Sequence, residues 1–88
     1  MKFARGIYRT SIKITDEEIA LERGGGILKF GEKHGIDVRF GWDAQGNFIV
    51  DVEAEGFTSA YCKGLVAEVK EMFKQAFGGK ITTIMYVY

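Results

Sequence analysis

The chain has 88 residues, 47% of them apolar, and its 12 Lys plus Arg balance 12 Asp plus Glu. That length and hydrophobicity predict one folded domain near the small end of what stands without metals or disulfides, and they exclude a disordered chain. Zero formal charge argues against a generally basic binder of nucleic acid or anionic membrane, and a single cysteine excludes an internal disulfide or a cysteine-rich zinc site. No run reaches the length of a membrane span, and Met1–Gly6 lacks the apolar stretch of a secretion signal. The expectation is a cytoplasmic protein that does not meet a membrane.

In chain order, Phe3 to Ile14 reads as a strand, with Tyr8, Thr10, Ile12 and Ile14 on one parity and Arg5, Arg9, Ser11 and Lys13 on the other. Phe3 and Ile7 break that alternation. A helix start follows: Thr15 is placed to cap it, Glu18 completes a capping box, and Ile14 and Ile19 are spaced as a hydrophobic staple. Asp16 and Glu17 add negative charge where the helix dipole favours it. Ile19, Arg23, Ile27, Phe30 and His34 hold one helical phase across Gly24-Gly25-Gly26. Three glycines cost a helix roughly 2–3 kcal/mol against alanine, so the reading is a first helix broken or kinked at the triplet. Gly35 ends it, with Lys33 and His34 in the last turn.

From Gly35 to Gly56 two alternating arms fold back around Asp43-Ala44-Gln45-Gly46. Ile36, Val38, Phe40 and Trp42 share one face of the first arm; Phe48, Val50, Val52 and Ala54 share one face of the second. Thr58 or Ser59 then caps a second helix, whose apolar stripe is Cys62, Leu65, Val66, Val69, Phe73, Ala76 and Phe77. Gly78 and Gly79 close it, and Lys80 to Tyr88, dense in β-branched and aromatic residues, reads as the last strand.

Strand, helix, strand, strand, helix, strand is the split βαβ order. It predicts an α+β, ferredoxin-like βαββαβ sandwich: a four-stranded antiparallel sheet with two helices on one face, first and third strands central and the last at an edge.

Chemistry is sparse in this pattern. The glycine triplet with Arg23 and Lys29 offers a phosphate or nucleic-acid site, to which Arg5, Arg9 and Lys13 could add charge. A Walker loop needs Gly-Lys-Ser/Thr, where Ile27-Leu28-Lys29 stands here, and the Gly-x-x-Gly loop of KH RNA-binding domains is absent. Ile49, Asp51 and Glu53 are not the aromatic platform of an RNA-recognition sheet. Cys62, in the first turn of the second helix, is a candidate reactive thiol, but its place on the apolar stripe favours a packed, inert one. His34 alone builds no metal site, and no cofactor is expected. Asp37, Asp51 and Glu53 are expected on the outer sheet face, opposite Arg9 and Lys13.

The last strand carries the stronger signal. Ile81, Thr83, Met85 and Val87 are expected to face the core, leaving Ile84, Tyr86 and Tyr88 on the opposite face with Lys80 the one charge. An edge strand apolar on both sides calls for a cover. The expectation is a non-enzymatic interaction module, a homodimer or the partner of another protein, whose interface is Ile84, Tyr86 and Tyr88.

The run Gly46 to Phe57, with Cys62 opening a helix, resembles a family of short bacterial proteins classed as a domain of unknown function: a hairpin arm, Gly-Phe, a cysteine after four residues, and a helix ending in Gly. Tyr61 stands where that pattern has a small residue, and the helix to Gly78 is longer. The resemblance implies a shared local structure and nothing catalytic. Acylphosphatases share the topology, but their phosphate loop has no counterpart at Gly6-Ile7-Tyr8-Arg9.

Overall fold

The chain runs β1 (Lys2–Thr10), α1 (Glu17–His34), β2 (Asp37–Trp42), β3 (Phe48–Gly56), α2 (Ser59–Phe77) and β4 (Ile81–Val87) in a computed structural model that describes residues 1–87. The strands form one antiparallel sheet in the order β2-β3-β1-β4, and the topology is α+β, ferredoxin-like. The hairpin arms pair Val38 with Val52, Phe40 with Val50 and Trp42 with Phe48, so one parity of each arm builds a single apolar face. Ala4, Gly6 and Tyr8 of β1 continue that face opposite Ala54, Val52 and Val50.

Helix α2 seals the face with Cys62, Leu65, Val66, Val69, Phe73 and Phe77, all buried. Burying each such side chain contributes about 1.5–3 kcal/mol, which makes this layer the main source of stability. At its centre the Phe48 ring lies 4.9 Å from Phe77 and 6.0 Å from Phe73. Thr58 caps the helix by accepting from the Tyr61 amide at 3.1 Å. Between β2 and β3, the Asp43 carboxylate accepts from the amides of Gln45 and Asn47, and Gly46 takes a positive φ of 81°. Those bonds hold the Asp43 carboxyl below its ordinary range, the Asn47 amide first among them.

Four expectations are corrected. Helix α1 runs unbroken through the glycine triplet. Its buried positions are Ala20, Gly24, Ile27 and Gly31; Ile27 belongs to the predicted phase and Phe30 packs against the core, but burial falls on Ala20 and Gly24 where Ile19 and Arg23 were expected. A Cβ at Gly24 would overlap the Phe40 ring, and one at Gly31 would come within 2.9 Å of Val38, so glycine is what lets the helix lie close on β2. The N-cap is Asp16, accepting from Glu18 at 2.9 Å, and not Thr15; Ile19 is exposed and makes no staple with the buried Ile14. Strand β1 stops at Thr10 and does not reach Ile14. The buried Thr10 hydroxyl donates to the Gly78 carbonyl at 2.7 Å and accepts from the Ile12 amide, which turns the chain out of the sheet.

The fourth correction concerns β4. Ile7 pairs with Met85 but its neighbour Tyr8 pairs with Thr83, so Ile84 is an extra residue, a β-bulge. Beyond it the parity inverts: Met85 joins Ile7 on the open sheet face, and Tyr86, opposite the buried Gly6, packs against the core. The predicted outward Tyr86 is therefore turned inward. The Tyr88 assignment and that of the Val87 side chain lie outside the described residues.

Candidate functional site

The geometry of β4 follows from its position. It has a strand neighbour on one side only. Helix α2 lies on β1 and β3 and α1 on β2, so β4 has at most marginal helix cover. Thr83 is exposed although its partner Tyr8 is buried on the helix side of the sheet, and Thr82 and Ile84 are exposed as well. Of the two described interface residues read from the sequence, Ile84 is the one set outward, 40% exposed at the bulge.

The other predicted groups are not brought together. Gly24, Gly25 and Gly26 lie in the interior of α1, where amides already bond to the carbonyls four residues back and none is left to cradle a phosphate. Arg23 and Lys29 are exposed on that helix. Cys62 is wholly buried, with its thiol 3.5 Å from the Lys2 carbonyl, as a packed thiol is, and it is not placed to react with solutes. His34 packs against Phe30 with ring centres 4.4 Å apart and ring planes tilted by 50°. Among the described residues no three His, Cys, Asp or Glu side chains form a group able to hold a metal, and no helix is long and apolar enough to cross a membrane.

On the open sheet face, Asp51 and Glu53 meet Arg5 rather than Arg9 and Lys13. The Arg5 guanidinium donates to both Asp51 oxygens, at 3.0 and 2.7 Å, and lies 3.3 Å from Glu53. This two-point bond to Asp51 holds the Arg5 pKa above its ordinary value. Arg9 instead reaches Asp43 at 3.4 Å, and the Lys13 ammonium donates to the Asn47 side-chain carbonyl.

Two features escaped the sequence. One is an apolar cleft lined by Met1, Gly56, Phe57 and Tyr61, where Phe57 is 89% exposed. The other is a polar cleft at the end of the sheet where β1 leaves and β4 enters. Its residues come from chain positions too far apart for spacing to have joined them.

Compared with known proteins, the chain matches no family model and no curated sequence.

Proposed function

We propose that this protein is a small assembly module that works by association rather than catalysis, pairing the β4 edges of two copies about a two-fold axis. The observation that carries the reading is the character of that edge: seven residues, Ile81–Val87, without a charge and with at most marginal helix cover. Exposed strand edges offer unpaired amides and carbonyls, and an uncharged one is a template for another strand. An isologous contact closes on itself, joining two four-stranded sheets into one of eight. The Ile84 bulge twists the strand locally, which selects one register and works against open-ended stacking.

Sedimentation over a range of concentrations tests this. The unaltered chain is expected to pass from monomer to dimer, and Ile84→Lys to remain monomeric with an unchanged circular dichroism spectrum. A chain that stays monomeric at high concentration, or an Ile84→Lys variant that dimerises as well as the original, overturns it.

A further inference from the structure

The open sheet face is charged unevenly along the strands. Asp37, Glu53 and Glu55 lie toward one end, where β2 begins and β3 finishes. At the other end Arg9, Lys13 and Lys80 line a cleft of about 400 Å³ together with Thr10, Ser11, Asn47 and Thr82. The chain as a whole is neutral, so this convergence of cations is local. No carboxylate is among the cleft's described lining residues. Asp43 is not among them, and of the three cations it forms an ion pair with Arg9 alone, through one guanidinium nitrogen at 3.4 Å. Among the described residues no carboxylate pairs with Lys13 or Lys80. About two positive charges are therefore left without compensation in a space of small-molecule size.

The walls are fixed before any ligand arrives. The Ser11 amide donates to the Lys80 carbonyl at 3.0 Å, and the Lys80 amide donates to the Ser11 hydroxyl oxygen at 2.8 Å. Thr10 ties the same two loops through Gly78. A Cβ at Gly79, whose φ is 77°, would come within 2.6 Å of Ile12 and 2.8 Å of the Ser11 oxygen. Asn47 holds Lys13 from the third side, and Asp43 in turn accepts from the Asn47 amide at 2.8 Å. Three loops distant in sequence are thus tied into one rigid rim. The hydroxyls of Ser11 and Thr82 keep protons to donate. Ammonium, guanidinium and hydroxyl donors carried on a rim whose backbone is already tied, around a cleft of this size, suit a phosphate group, since little backbone ordering is required on binding.

We propose that this cleft binds the phosphates of a small anionic ligand, with Arg9, Lys13 and Lys80 as the charged contacts and Ser11 and Thr82 as neutral donors. The cleft shares Thr82 with β4, but its charged contacts Arg9, Lys13 and Lys80 all lie outside Ile81–Val87. It also differs from the glycine triplet, which presents no free amides.

Titration of the full chain with pyrophosphate at low ionic strength, followed by amide chemical shifts in nuclear magnetic resonance, tests it. Saturable shifts are expected at Ser11, Asn47, Lys80 and Thr82. Lys13→Gln and Lys80→Gln, both at exposed positions, are each expected to weaken binding roughly tenfold. The double variant Arg23→Gln with Lys29→Gln on α1 is expected to bind as the original does. The proposal is overturned by unsaturable shifts spread over all surface cations, or by unchanged affinity in the Lys13 and Lys80 variants. It is equally overturned if a single-stranded oligonucleotide binds at this end while pyrophosphate shifts nothing, which would assign the charge to nucleic acid.

Discussion

At one edge of the sheet, β2 carries Asp37 and Arg39 and lies beneath α1; at the other, β4 carries no charge from Ile81 to Val87 and has at most marginal helix cover. Both strands belong to one antiparallel sheet, so backbone chemistry does not separate them. The side chains and the layer above do. A charge on an edge must lose solvent when another strand docks, and a helix packed over the strand restricts approach. The difference teaches that charge and helix cover are local in this fold, applied to one edge and withheld from the other.

Removing the protection from β2 is the most disruptive way to break the contrast. Asp37→Thr with Arg39→Thr leaves both edges uncharged, and two pairing edges per molecule link copies into open chains rather than closed pairs. Light scattering is expected to show species well beyond a dimer, and a dimer-limited mass would mean that α1 alone guards β2.

The contribution of α1 can be measured separately, through the glycines that let it approach. Gly24→Ala pushes a methyl group into Phe40, whose ring is already flanked by Phe48 and Phe77 at 5.5 and 6.0 Å. Overpacking outweighs the gain in helix propensity, for a net loss of about 1–2 kcal/mol. Gly25 has open space where its Cβ would be, and Gly25→Ala should stabilise by about 0.5–1 kcal/mol. Urea unfolding of both variants reads these opposite signs; the same sign at both positions would show that the close approach has no energetic weight.

The smallest effect concerns the turn that joins β2 to its neighbour. A carboxyl whose pKa is lowered by folding stabilises the native state above the ordinary carboxylate value, and that stability is lost as pH falls through the lowered one. Asp43 is such a group, held down first by the Asn47 amide. Unfolding measured from neutral pH into acid should therefore show a decline below the usual carboxylate range that is shallower in Asp43→Ala. An identical decline in both proteins would assign the acid sensitivity to other carboxylates.

The order of elements was legible because it depends on period: every second residue in Phe48–Ala54 and the three-and-four steps from Cys62 to Phe77. The glycine cap at Gly35, with its φ of 65°, was legible from local chemistry, and the cap of α2 was narrowed to Thr58 or Ser59, of which Thr58 serves. What failed was set by contacts from elsewhere in the chain. Thr10 ends β1 through Gly78, a partner 68 residues away. The face of α1 was misread because hydropathy gives no weight to Gly24 and Gly31, which are buried for being small. The bulge at Ile84 exists only in the pairing with β1, and it decides where Tyr86 points. The cleft of Arg9, Lys13 and Lys80 is the extreme case, since three loops must meet before it exists.

Amide hydrogen exchange at two protein concentrations tests the difference between the edges most directly. Exchange in Ile81–Tyr86 of β4 should slow as concentration rises, while Asp37–Trp42 of β2 exchanges at the same rate at both. Concentration-independent exchange in β4, or slowing confined to β2, would contradict the account.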